Sequence, residues 1–126
     1  MDMNDLIEKL LEDDEYRALL ERITSSTPLE KEDALCVLLS LSYMNDGREK
    51  EAITLLKPLH EKYGSTPEVS YWYSSALLPV AESVEEIVMA KGLMLDALSS
   101  SLKGKMREDA LLKLAYAEEK LDELTR

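Results

Sequence analysis

Residues 30–67, EKEDALCVLLSLSYMNDGREKEAITLLKPLHEKYGSTP, decide how this chain is read. They spell two antiparallel helices joined by a turn. Thr27 suits an N-cap, Pro28 the first helical position, and Glu30 closes a Thr-x-x-Glu capping box, so the first helix is expected to begin at Pro28. Leu35, Leu38, Leu39 and Ser42 then recur at the spacing that lines one helical face. Asn45-Asp46-Gly47 tolerates positive φ and lets the chain reverse. The second helix carries Ala52, Leu55, Leu56, Leu59 and Tyr63 on one face, and Pro58 is expected to kink or shorten it. Gly64 reads as a left-handed C-cap, and Thr66-Pro67 starts the next helix.

The order of residues inside the hairpin is informative. Leu39 is large, Ser40 beside it is small, Tyr43 is aromatic one turn on, Gly47 sits in the turn, and Ala52 follows on the second helix. On these residues the stretch resembles the tetratricopeptide repeat, whose unit has about 34 residues. Leu56 stands where that family has an aromatic residue, and Leu59 where it has a small one. Ser40 and Ala52 let two backbones approach, while Leu39 and Tyr43 fill the space beside them. One repeat further on, Tyr73, Ser74 and Leu77 take the places of Leu39, Ser40 and Tyr43, and Ala90, Met94 and Ala97 follow, displaced by one turn. Glu32-Asp33-Ala34-Leu35 also returns as Glu108-Asp109-Ala110-Leu111. The resemblance covers residues 30–102. It implies an all-α fold of antiparallel hairpins stacked as a short right-handed solenoid, with about seven helices and a C-terminal capping helix. The expected divisions of the single domain 1–126 are N-terminal helices in 3–24, the best-matching repeat in 28–64, a degenerate repeat in 67–102 and the cap in 105–124.

A chain of 126 residues is one domain by size. It has no Phe, and its four glycines and four prolines fall near turns except Gly92, which favours helices. The net charge of −11 argues against nucleic acid, which needs a basic footprint, and against an anionic membrane surface. Apolar runs are too short for a membrane span, and the acidic start Met1-Asp2-Met3-Asn4-Asp5 is unlike a secretory leader. With Cys36 the only cysteine, no internal disulfide forms, and a cytoplasmic location is expected. Residues 1–24 and 65–102 hold an excess of acids, whereas 103–126 are balanced, a distribution that weakly favours a basic partner.

The remaining chain fits the same plan. Leu6, Ile7, Leu10 and Leu11 form one stripe, and Tyr16, Leu19, Leu20 and Ile23 another. Between them Glu12-Asp13-Asp14-Glu15 reads as a helix junction capped by Asp13 or Asp14, since a calcium loop needs a glycine and spaced ligands. Ser25-Ser26-Thr27 reads as a linker. A third long helix runs from Glu68 to Leu78 and is expected to stop at Pro79. Ser83-x-x-Glu86 is a second capping box. The helix it opens, Val84 to about Ser100, has Ile87, Val88, Leu95 and Leu98 on one side and Ala90, Leu93, Met94 and Ala97 on the next, a breadth that predicts burial between neighbours. Gly92 between them is expected to permit a close helix crossing. Ser99-Ser100-Ser101 reads as a helix end, and Lys103-Gly104-Lys105 as the last break. The final helix, near Met106 to Leu124, places Ala110, Leu114, Ala117, Leu121 and Leu124 on one face.

Reactive groups do not converge. His60 has no second histidine or spaced glutamate to make a metal site, and reads as a polar residue at a helix C-terminus. Cys36 has no nearby base and reads as a small buried hydrophobe. No enzyme activity and no cofactor are expected. A different feature points to binding. Ala34, Val37, Leu41 and Met44 form a second stripe on the first helix, and in tetratricopeptide proteins that face lines a concave groove. The next repeat adds Glu68, Tyr71, Ser75 and Leu78, and the last helix Lys113 and Ala117. The partner-binding candidates are therefore Val37, Leu41, Met44, Tyr71, Ser75 and Leu78, for a partner protein's helix or extended peptide. The competing expectation is that the N-terminal helices cover this face as core. Repeats that clamp chaperone C-termini place Lys and Asn where Val37 and Leu41 stand, so that activity is not expected. The expected function is a non-catalytic adaptor. The alternatives are a small acidic chaperone similar to bacterial secretion chaperones, and a homodimer using the same surface. The layout also resembles mitochondrial fission adaptors, but those carry a C-terminal hydrophobic anchor and this chain reads Asp122-Glu123-Leu124-Thr125-Arg126 at its end.

Overall fold

A computed structural model describes residues 2–100 and 102–126; Met1 and Ser101, the latter in the serine run read as a helix end, lie outside the described residues. Among the described residues there are seven helices and no strand. They are α1 (Met3–Leu10), α2 (Asp14–Ser26), α3 (Lys31–Asn45), α4 (Glu49–Lys62), α5 (Pro67–Val80), α6 (Val84–Ser99) and α7 (Gly104–Thr125). From α3 onward each helix packs on the next, α1 and α2 both pack on α3, and α5 also touches α7.

Several boundaries follow directly from local chemistry. Asp13 caps α2 by accepting from the Glu15 N–H at 2.8 Å. Gly47 takes φ +74°, the left-handed conformation that reverses the chain between α3 and α4. Ser83 accepts from the Glu86 N–H at 3.2 Å, while its hydroxyl donates to the Glu86 carboxylate. The capping box is thus closed side chain to side chain.

Other boundaries differ from expectation. α3 begins at Lys31, because the Thr27 hydroxyl donates backward to the Ile23 carbonyl at 2.6 Å and ends α2 instead of capping α3. Ser25 and Ser26 of the expected linker instead form the end of α2, where both hydroxyls donate to the Arg22 carbonyl of their own helix. Gly64 is not left-handed; Tyr63 ends α4 with φ −118°. Neither proline stops its helix. Pro58 lies within α4 on an exposed face, and Pro79 lies in the last turn of α5.

The main core joins Ile23 of α2, Ala34, Val37 and Leu38 of α3, Ala52, Leu56 and Leu59 of α4, and Val69, Trp72 and Ala76 of α5. Burying a side chain such as Leu38 or Leu56 contributes about 1.5–3 kcal/mol. The small residues at the close approaches, Ser40, Ala52 and Ser74, are fully buried. Ser40 donates to the Cys36 carbonyl at 2.8 Å and Ser74 to the Tyr71 carbonyl at 3.0 Å, so neither hydroxyl is stranded. Cys36 is half-buried rather than fully enclosed, and burial, with Asp33 and Glu32 nearby, pushes its thiol pKa up.

α6 departs most from its reading. Ile87, Ala90, Met94 and Ala97 are buried, but Val88 and Leu95 remain about half exposed at 53% and 47%. α5 and α7 cover one side of the helix, and the side that carries Val88, Met89 and Leu95 is exposed among the described residues. A Cβ at Gly92 would meet no atom within 4 Å, so that glycine serves no helix crossing. Among the described residues no helix is long and apolar enough to cross a membrane.

Candidate functional site

A cleft of about 610 Å³ opens where α3, α5 and α7 converge, a volume in the range that holds ligand groups. Leu41 and Met44 of α3 and Leu19 of α2 supply apolar surface; Tyr71, Trp72, Ser75 and Pro79 of α5 form the floor. Met106, Asp109 and Lys113 of α7 stand along the far wall with Lys105, and Asn45 and Glu49 complete the α3–α4 end.

Four of the six residues expected to bind a partner meet here: Leu41, Met44, Tyr71 and Ser75. The other two do not. Val37 is fully buried in the main core, in the cluster that Ile23 joins, and Leu78 is buried at 2% beside Ile87 and Ala117. One part of the stripe is therefore core and another part lines the cleft. α2 packs on α3 and closes over the Val37 part of the stripe, while one turn further on Leu41 and Met44 stay half-buried at the cleft. Ala117 is likewise core, whereas Lys113 lines the cleft. Glu68 lies apart, in a second opening of about 360 Å³ with Ser26, Leu102, Lys103 and Met106. Trp72 was missed because the stripe through Tyr71 and Ser75 passes beside it; the run Tyr71-Trp72-Tyr73 was the available signal.

The α5 and α7 walls are joined by a polar clasp. The Tyr71 hydroxyl donates to the Asp109 carboxylate, and Lys113 Nζ lies 2.6 Å from the same oxygen. Lys113 also donates to Ser75 Oγ at 3.0 Å and to the Tyr71 hydroxyl at 3.4 Å, and its ammonium sits 4.9 Å from the centre of the Tyr71 ring. Ser75 in turn donates to the Tyr71 carbonyl at 2.7 Å. Burial pushes the Asp109 pKa up, but the hydrogen bonds from Lys113 and Tyr71 and the lysine charge outweigh it and hold the carboxyl below its ordinary value. The Tyr71 hydroxyl is moved up, by burial and then by its bond to the Asp109 carboxylate and that group's charge. Near neutral pH the tyrosine is a donor and the aspartate an acceptor. The cluster fastens α7 to α5 at the mouth of the cleft.

Other reactive residues lie away from this site. His60 is in the last turn of α4 with its ring 5.1 Å from that of Tyr73. Among the described residues no three His, Cys, Asp or Glu side chains converge as a metal site. Compared with models of known protein families, with characterised proteins and with solved structures, the chain matches none.

Proposed function

We propose that this protein is a non-catalytic interaction module, a tetratricopeptide-like stack of hairpins whose cleft receives a helical segment of another protein. The observation that carries the reading is the meeting of half-buried Leu41, Met44 and Tyr71 in one cleft above the buried Trp72, walled by polar groups already bonded to each other. Apolar burial supplies affinity in such grooves, and methionine and tyrosine make adaptable contacts there.

The test compares proteins retained from a native lysate by the immobilised wild type, by Leu41→Glu and by Met44→Glu. The expected result is that discrete species held by the wild type are lost from both variants while the far-ultraviolet circular dichroism is unchanged. Retention of the same species by all three proteins refutes the cleft as the binding surface.

A second reading, self-association, draws on another surface. Val88 and Leu95 of α6 and Leu111 of α7 are each about half exposed, on two helices that pack together. An isologous contact between two copies would cover them.

A further inference from the structure

The charge of the cleft is unlike that of the protein around it. The chain carries −11 overall, yet the α7 wall bears Lys105 and Lys113, and Lys120 continues the row at the Leu78 end, where its Nζ donates to the Leu78 carbonyl at 3.3 Å. Lys113 is spent: its ammonium donates to Asp109, Ser75 and Tyr71, and the aspartate offsets its charge. Lys105 and Lys120 differ. Among the described residues neither forms an ion pair with a carboxylate. Lys120 is steadied by the Leu78 carbonyl and by the Tyr116 ring, 5.8 Å away, and keeps donors to spare. On a helix rising 1.5 Å per residue, the two stand about 22 Å apart.

Between them lies apolar surface that the fold leaves open. Leu112 is 71% exposed and Tyr116 46% exposed. Helical spacing makes Leu112 the neighbour of Asp109, and Tyr116 the neighbour of Lys113, both of which line the cleft. Lys105, Leu112, Tyr116 and Lys120 thus follow one another along α7 beside the cleft; Asp109 on this wall is taken up by Lys113 and Tyr71, Glu49 stands on the opposite wall, and Glu108, Glu119 and Glu123 adjoin the row on its outer side.

Resting on the proposal that the cleft binds a helix, we infer that its partner is an amphipathic helix of about four turns with carboxylates along one edge. Its apolar face lies on Leu41, Met44 and Tyr71 and reaches Leu112 and Tyr116. Its acidic edge lies along α7, one carboxylate meeting Lys105 and another Lys120. The weak preference for a basic partner that the overall charge implies is reversed locally.

The experiment uses two synthetic helical peptides with identical apolar positions. One carries Glu, the other Lys, at the same edge positions about four turns apart. Binding is followed by Trp72 fluorescence, the chain's only tryptophan and part of the cleft floor. The expected result is that the Glu-edged peptide binds about five- to tenfold tighter at low salt, with the advantage shrinking as salt rises. The field of a protein of charge −11 favours the Lys-edged peptide, so this order reports local contacts. Lys105→Glu, at an exposed position, should cut the preference, and Lys105→Glu with Lys120→Gln should abolish it with the helix content retained. Equal binding of the two peptides, or a Lys-edged preference in the wild type, overturns the acidic-edge inference alone. Binding of neither overturns the helix-binding cleft as well.

Discussion

Replacing Tyr71 with Phe removes one hydroxyl from the clasp that joins α5 to α7 and leaves the ring on the cleft floor. That hydroxyl donates to Asp109 and accepts from Lys113. A hydrogen bond to a charged group is worth about 1.5–3 kcal/mol, and an exposed ion pair about 0.2–1 kcal/mol. The side chains of Lys113 and Asp109 are 33% and 43% exposed, so solvent screens them substantially and the lower part of the range applies. Tyr71→Phe should therefore cost about 1 kcal/mol near neutral pH, or about 4 °C in the unfolding midpoint of a domain this size.

The pH dependence gives the sharper test, because the two partners shift in opposite directions. Asp109 has a folded pKa below its unfolded value, so its stabilisation is present above the ordinary carboxylate pKa of about 4 and is lost as pH falls through the folded value. Tyr71 has a folded pKa above its unfolded value, so its stabilisation is present below about pH 10 and is lost as pH rises toward the folded value. Urea unfolding of wild type and Tyr71→Phe, read by circular dichroism and Trp72 fluorescence, should show a difference that is level across neutral pH and shrinks at both extremes. Asp33 is also held below its ordinary value. Burial raises it, but hydrogen bonds from Lys62 and Tyr63 outweigh that, so the acid limb must be read from the difference curve. Equal stability of the two proteins at pH 7, or a difference that does not change with pH, refutes the clasp.

Two further tests concern backbone and oligomeric state. Gly92→Ala should stabilise by about 0.5–1 kcal/mol, since a methyl there meets open space within a helix. Gly47→Ala should destabilise by about 1–2 kcal/mol, because φ +74° suits only glycine well; thermal midpoints with the opposite order would contradict the local geometry. If α6 and α7 mediate self-association, light scattering should find a concentration-dependent dimer that Val88→Glu with Leu95→Glu converts to monomer. A wild type that is monomeric throughout removes that reading.

Where a few neighbouring residues decide the outcome, the sequence was legible. Asp13, Gly47 and the Ser83–Glu86 pair behave as read, because caps and turns are closed within a few residues. Thr27 had two local options of similar quality, and its hydroxyl went back to Ile23. The stripe Val37–Leu41–Met44 was visible by its period, but period identifies a face and not what lies over it. α2 decides that from more than a turn of sequence away, its Ile23 joining Val37 in the core and its Leu19 standing beside the cleft. The lysines of α7 were invisible as a row for a related reason. Its charges balance in sequence, and only packing brings Lys105 and Lys113 to the cleft and Lys120 to the Leu78 carbonyl while Glu118 pairs with Lys91 of α6.

The repeated Glu-Asp-Ala-Leu pattern shows what such an echo can carry. Ala34 and Ala110 are both fully buried, and the preceding aspartates both accept from a tyrosine hydroxyl and a lysine: Asp33 from Tyr63 and Lys62, Asp109 from Tyr71 and Lys113. The tyrosines come from different places. Tyr63 ends α4 and locks α3 to α4 within a hairpin, whereas Tyr71 stands in α5 and reaches across to α7. Leu35 is half-buried and Leu111 half exposed. The tetrapeptide thus encodes a buried small residue with an acid beside it that seeks the nearest tyrosine and lysine. Which helix answers is set by the stack. At Asp33 the answer closes a hairpin, and at Asp109 it fastens α7 to α5 along one wall of the cleft.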